Sequence, residues 1–187
     1  MPDLMTHLCV THLARRGMEA RRGAALPEAD AVLFYLGGCL PDLVSRAPGV
    51  LAHSSVAQHV LLAMHQPVPV LLSAYIIALC LPETGRRRYF AWIIAGAVLH
   101  YSLDLLQRDL GAGGEFWLFP FSWSTLQLVF FWPDQAVLAI APLLMVIAWV
   151  EWRRLPPRST TTRVRDIAAP ADSLWRLRLN HFFNKNF

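Results

Sequence analysis

The feature that most constrains this chain is a series of long apolar runs separated by short clusters of arginine. Residues 89–106 are long enough, as a helix rising about 1.5 Å per residue, to cross a hydrocarbon core of about 30 Å, and residues 134–150 form a final apolar run. Hydrophobic residues make up 55% of the 187 residues and charged residues only 16%. This composition excludes a disordered chain and is more hydrophobic than that of most soluble proteins.

The remaining apolar segments predict three further helices, over residues 3–16, 28–40 and 60–81. The second is expected to end at Pro41-Asp42, and residues 43–59 are expected to form a polar, turn-rich connection. In the third, Pro67 suits the first turn of a helix that starts near His65. The sequence therefore predicts an all-α, multi-pass membrane bundle of about five helices.

A change in composition after Pro156-Pro157 sets the expected domain boundary. The chain there becomes rich in serine, threonine and arginine. We predict a helical membrane domain over residues 1–154, followed by a flexible, basic cytosolic tail over residues 155–187.

The arginine clusters predict how the helices are oriented. They comprise Arg15, Arg16, Arg21 and Arg22, then Arg86, Arg87 and Arg88, then Arg153 and Arg154. The positive-inside rule assigns all of them to the cytoplasmic side. Histidines and aspartates from four separate segments then fall on the outer side: His7, Asp42, His65, His100 and Asp104.

His100 and Asp104 form the strongest candidate pair for chemistry. Their spacing of four residues places both on one face of a helix. An ionisable residue inside such an apolar run costs about 2.5–3.5 kcal/mol on insertion scales, so it favours a functional role. Imidazole and carboxylate ligate zinc, and carboxylates also suit manganese or magnesium. The alternative is that Asp104 pairs with Arg108 and His100 bonds a neighbouring helix.

The other candidates have structural interpretations as well. His7 is also interpretable as a partly exposed residue near the terminus, and Asp42 as a turn or helix-cap residue. His53 and His59 lie in the predicted polar connection as secondary candidates, and His53-Ser54 competes with His65 for the third position. We interpret His12 as structural.

Five short motifs, taken in order, resemble a known family. They are Thr6-His7, Leu40-Pro41-Asp42, His65 opening a membrane helix, the run from His100 to Asp104, and Leu118-Phe119-Pro120-Phe121-Ser122. This order resembles the YdjM-type inner-membrane metal-dependent hydrolases. That family is also described as LexA-binding and is distantly similar to zinc-dependent phospholipase C and single-strand-specific nucleases. The resemblance covers about residues 1–150.

The resemblance implies a divalent metal, zinc first and manganese or magnesium as alternatives, in a multi-pass protein of the bacterial inner membrane. Its implied ligands are His7, Asp42, His65, His100 and Asp104, with Asp42 or Asp104 also serving catalysis. Phe119, Pro120, Phe121 and Ser122 would form a substrate-side loop. The family often has His-Ser or His-Thr-Pro at the third position, whereas here those features are divided between His53-Ser54 and His65-Gln66-Pro67.

The function implied by the resemblance is hydrolysis of a phosphoester, including a lipid phosphoester, by metal-activated water near the outer membrane surface. The alternative is a non-enzymatic membrane interaction protein with structural histidines and a basic tail that binds a cytosolic partner or anionic lipid. Three cysteines without a CxxC pair exclude a disulfide framework. The arginines lack the interleaved aromatic residues expected of a nucleic-acid surface.

Overall fold

The computed structural model describes residues 4–49, 54–107, 116–117, 119–122, 124, 128 and 130–154, and their regular structure is helical. This confirms the all-α class. The helices are α1 (Leu4–Arg22), α2 (Glu28–Gly49), α3 (Ser55–Met64), α4 (Pro67–Leu79), α5 (Arg86–Leu106), α6 (Pro133–Leu138) and α7 (Ile140–Arg154). A single 3₁₀ turn, Glu83–Gly85, leads into α5.

The chain divides into two compact units, Met1–Trp149 and Val150–Phe187. Of the second unit, the structure describes only the last turn of α7. The expected tail, residues 155–187, lies outside the described residues and stays a prediction.

The expected end of the second helix at Pro41-Asp42 is wrong, because α2 continues through both residues to Gly49. A proline inside a helix costs about 3 kcal/mol. In α2 this cost is offset by burial of apolar side chains, since Leu40 and Pro41 are both fully buried. The expected polar connection over residues 43–59 is also wrong, because these residues include the last turns of α2 and the start of α3.

Helices α2 and α5 form the centre of the bundle, and glycines let their backbones approach closely. A Cβ atom on Gly37 would overlap the carbonyl oxygen of Ile93, and one on Gly96 would overlap the carbonyl oxygen of Phe34. Small residues at a helix–helix contact allow this kind of approach. The core around it is apolar and comprises Leu33, Leu40, Val70, Ala74, Ile93, Ala97 and Tyr101.

Arginines from two of the sequence clusters lie at the same end of this bundle. Arg88, near the start of α5, forms a salt bridge with buried Asp30, near the start of α2. Arg22, the last residue of α1, lies over the ring of Trp92, 5.6 Å from its centroid. Arg22 and Arg88 therefore lie at the same end of the α2–α5 pair, and the orientation of this end relative to a membrane stays a prediction.

Two segments, Glu83–Leu106 and Asp134–Arg154, are long and apolar enough to cross a membrane by length and composition. Only 6% of the most apolar window of Asp134–Arg154 is buried. The apolar side chains of this segment are therefore mostly not packed against other described residues. Along α4, Leu72, Tyr75 and Ile76 are each more than half exposed.

We predict that Gly96→Ala lowers the free energy of unfolding by about 1–3 kcal/mol, the usual cost of overpacking, because the added methyl group meets backbone atoms of α2. Gly17→Ala is the matched control, since Gly17 lies in α1 with nothing within 4 Å of an added Cβ. That change should raise stability by about 0.5–1 kcal/mol through helix propensity. Thermal unfolding in detergent measures both, and equal effects would contradict the close α2–α5 contact.

A second prediction concerns Glu19, which is 3% exposed. Burial raises its pKa, but hydrogen bonds from Arg16, the Leu26 N–H and Arg15 outweigh burial and hold the pKa at about 2, below the ordinary 4.5. A depressed pKa adds stability above the unfolded value, and this stability is lost as the pH falls from about 4.5 to about 2.

The stability difference between wild type and Glu19→Gln should therefore be largest near pH 6 and disappear by about pH 2. Unfolding temperatures across this range measure it. Glu83→Gln is the control, because Glu83 is 83% exposed and its pair with Arg86 is a surface pair. A difference that does not change with pH would contradict the proposed role of the Glu19 carboxylate.

Candidate metal centre

Three imidazoles from different parts of the chain meet at one carboxylate. The Nε2 atom of His7 lies 3.4 Å from Asp104 Oδ1, and the Nε2 atoms of His65 and His100 lie 3.3 and 3.0 Å from Asp104 Oδ2. Each histidine is 1% exposed, so the cluster is shielded from water. We call these four residues the His/Asp cluster.

Each ligand position follows from its place in a helix. His7 lies in the first turns of α1, and His100 and Asp104 lie one turn apart on α5. His65 lies in the short break between α3 and α4, where Pro67 begins the new helix. The Tyr101 hydroxyl donates a 2.6 Å hydrogen bond to the His65 carbonyl oxygen, which fixes this break against α5.

In His65 and His100, a hydrogen bond at Nδ1, on the side of the ring away from Asp104, leaves Nε2 facing the centre. His100 Nδ1 lies 2.8 Å from the Gly38 carbonyl oxygen, which only accepts, so Nδ1 carries the proton. Ser45 donates its hydroxyl proton to the Pro41 carbonyl oxygen at 2.7 Å, and His65 Nδ1 then donates to Ser45 Oγ at 3.2 Å. In both rings Nε2 faces the centre, which is the arrangement found in metal-bound histidines.

This arrangement brings electron pairs together unless a cation lies between them. The nitrogens of His7 and Nε2 of His100 are buried and make no hydrogen bond within the described chain. Protonating all three imidazoles instead would bury three positive charges around one carboxylate. Neighbouring ligands of a tetrahedral zinc, each about 2.0–2.1 Å from the ion, lie about 3.3 Å apart. The observed separations of 3.0–3.4 Å fit that geometry.

Asp42 extends the cluster. Ligand atoms of Asp42, His65 and His100 lie within 4.8 Å of one another, as do those of His7, His100 and Asp104. The two groups share His100, and Asp42 is 5% exposed. The structure therefore contains His and Asp groups that could hold a metal ion, with a second carboxylate beside them.

His7 and His100 are also in direct ring contact. The ring of His7 stacks on that of His100 with centroids 4.0 Å apart. A neutral imidazole is the form that ligates metals.

The five residues expected from the sequence as ligands lie together in the structure, with His65 among them. His53 and Arg108 lie outside the described residues, and His59 lies in α3 with its side chain undescribed. His12 is not part of the cluster; its Nδ1 lies 2.6 Å from the Tyr35 hydroxyl. In the expected substrate-side loop, Phe119–Ser122 are described and Phe121 is 90% exposed.

Sequence reasoning missed three residues that hydrogen-bond to His65 or His100, namely Gly38, Ser45 and Tyr101, and also missed the buried Gln66 beside His65. The sequence carries a signal for one of them, because Gln66 directly follows His65 and is a polar residue in an apolar run. It is fully buried, and its side chain accepts a 2.7 Å hydrogen bond from the Phe116 N–H. The other three contacts join residues far apart in the chain.

The chain matches no protein-family model, curated protein or solved structure in the comparisons made. The chemistry of this site is therefore argued from its own geometry.

We predict that the purified protein binds zinc stoichiometrically and that His7→Ala weakens binding about a hundredfold or more. Loss of a residue that only orients a ligand costs about 10–100-fold, so loss of a ligand should cost at least as much. Asp104→Asn should weaken binding similarly, because it removes the negative charge at the centre. Metal titration and elemental analysis measure both.

The matched control is His12→Ala, which removes a histidine from the same helix but outside the cluster. It should bind zinc as the wild type does. Equal zinc content in the wild type, His7→Ala and Asp104→Asn proteins would reject the site.

Proposed function

We propose that this protein is a membrane-bound, metal-dependent hydrolase that cleaves a phosphoester. The observation that carries the proposal is the convergence of three buried imidazole nitrogens on Asp104, with Asp42 beside them. This donor set suits zinc best, because imidazole favours zinc and the all-oxygen sites of magnesium lack it. The motif order that resembles YdjM-type hydrolases supports the same chemistry.

A bound divalent ion would supply Lewis acidity, lowering the pKa of a coordinated water to about 7 and neutralising charge on the scissile group. The chain itself contributes ligand orientation: Gly38 and Ser45 hold two imidazoles with Nε2 directed inward. Asp42 is the group available to accept the proton of the attacking water, since its carboxylate shares the site with His65 and His100.

The location proposed for the site is the extracytoplasmic side of a bacterial inner membrane, in a multi-pass arrangement. Arg88 and Asp104 lie 16 residues apart on α5, about 24 Å along the helix. If the arginines face the cytoplasm, the His/Asp cluster faces the other surface. The exposed side chain of Phe130 lies at the cluster end of α5, because its N–H bonds to the Leu106 carbonyl oxygen at 2.8 Å.

This depth favours a lipid phosphoester as substrate. Aromatic side chains collect at the headgroup level of membranes, and Phe121, Phe130 and Trp132 are 90%, 74% and 45% exposed. A metal centre beside such residues would meet the phosphate of a lipid headgroup.

The proposal is tested by assaying the zinc-loaded protein on phospholipid vesicles and on soluble phosphomonoesters and phosphodiesters. We expect zinc-dependent hydrolysis, with Asp42→Asn lowering kcat about 10²–10⁴-fold, the range for loss of a general base. Asp42→Asn should still bind zinc, whereas Asp104→Asn should lose both zinc and activity.

His12→Ala controls for substitution in the bundle and should hydrolyse at the wild-type rate. Unchanged kcat in Asp42→Asn would reject the role of Asp42. Stoichiometric zinc without turnover of any of these phosphoesters would reject the hydrolase and favour a non-enzymatic membrane interaction protein.

A further inference from the structure

Residues next to three of the proposed ligands hydrogen-bond to one later part of the chain. We define the aromatic segment as the described residues from Phe116 to Ala136, including both. Thr6, before His7, donates to the Ala136 carbonyl oxygen at 3.1 Å, and Gln66, after His65, accepts from the Phe116 N–H at 2.7 Å.

The third connection follows Asp104. The carbonyl oxygens of Leu105 and Leu106 accept hydrogen bonds from the N–H groups of Leu128 and Phe130, at 2.9 and 2.8 Å. His7, His65 and Asp104 come from widely separated parts of the chain. The aromatic segment is therefore attached beside each of them by a chain neighbour.

The attachments made by Thr6 and Gln66 are buried. Gln66 is 0% exposed, Thr6 7%, Phe116 9% and Ala136 3%. The Gln66 amide is also fixed at its other end, because Nε2 donates to the Leu62 carbonyl oxygen at 3.2 Å. Removing the Gln66 side chain would take this partner from the buried Phe116 N–H, which costs more than losing a surface hydrogen bond. The Ala136 carbonyl oxygen also accepts from the Ala139 N–H at 3.2 Å, so the Thr6 hydroxyl is its second donor.

Ring contacts extend the attachment at Gln66. The ring of Trp117 lies 5.8 Å from that of Tyr101, whose hydroxyl bonds the His65 carbonyl oxygen. The start of the aromatic segment thus contacts the same two helical regions that hold His65 and His100.

We propose that Thr6 and Gln66 are positioning residues that couple the order of the aromatic segment to occupancy of the metal centre. This inference rests on the proposed function. An ion that holds His7, His65 and Asp104 together also holds the chain neighbours to which the segment is bonded. Coupling of two equilibria is reciprocal, so the bonded segment in turn favours the metal-binding arrangement.

The test is amide hydrogen exchange of the full chain in detergent, with zinc bound and after chelation. In the wild type, zinc should slow exchange at Phe116, Leu128 and Phe130 by about tenfold, the factor that corresponds to one buried hydrogen bond. In Gln66→Met, which keeps the side-chain length without the acceptor, zinc should still bind at saturation but should no longer protect the Phe116 amide.

Ser102→Ala is the matched control. Ser102 lies two residues from both His100 and Asp104, is exposed, and bonds only the Val98 carbonyl oxygen of its own helix in the described contacts. Its exchange pattern should match that of the wild type.

A second pair of variants separates hydrogen bonding from packing and does not depend on Gln66→Met folding. Thr6→Val keeps the volume but removes the hydroxyl, whereas Thr6→Ser keeps the hydroxyl. Zinc-dependent protection of the amides of residues 134–139 should fall about tenfold in Thr6→Val and be retained in Thr6→Ser.

The outcomes separate the two proposals. Zinc binding without slower exchange in the wild type, or with equal protection in Thr6→Val and Thr6→Ser, overturns this inference and leaves the metal centre standing. Absence of zinc binding overturns the proposed function and the coupling with it.

Discussion

The structure depends on a local electrostatic conflict: three imidazole nitrogens and a carboxylate converge where water is excluded. Two of the rings have their protons committed to Gly38 and Ser45, so their lone pairs are directed at Asp104 rather than away from it. A protein core normally pairs donors with acceptors, and a buried group left without a partner costs about 1–3 kcal/mol. A divalent cation would convert this conflict into coordination, and the His and Asp groups of the cluster could hold one.

The cluster in turn depends on how closely α2 approaches α5. His100 reaches the Gly38 carbonyl oxygen only because the two backbones are nearly in contact, and that contact requires hydrogen atoms in place of Cβ at Gly37 and Gly96. Gly37 and Gly38 weaken α2 as an isolated helix, but in the bundle they allow the contact that positions His100. The same close approach accounts for Pro41 inside α2, since the burial gained by the continuous helix outweighs the lost backbone bond.

The sequence predicted the helical class and the grouping of the five His and Asp residues because both follow from periodicity, helix length and the sorting of arginines. It failed where a tertiary contact decides the outcome. Pro41 is a helix breaker by propensity, so the end of α2 at Gly49 is visible only once its neighbours are present. Ser45 and Tyr101 orient His65 from 20 and 36 residues away, and no local pattern specifies such a contact. The sequence left His53 and His65 as alternatives for the third ligand, because spacing alone does not identify a break between helices.

The charges at the two ends of α5 are opposite in sign to those that the helix dipole favours. Cations at a helix N-terminus and anions at a C-terminus are each disfavoured by about 0.3–1 kcal/mol, yet three arginines occupy the first turn and Asp104 the last. Salt bridges to Glu83 and Asp30 compensate for Arg86 and Arg88. The histidines alone compensate Asp104 only if they are protonated, and protonating all three would bury three positive charges. Helix stability therefore does not explain why Asp104 lies at this end. Under the proposed function, the arginines would face the cytoplasmic membrane surface and a bound cation would lie beside Asp104, at opposite ends of one helix.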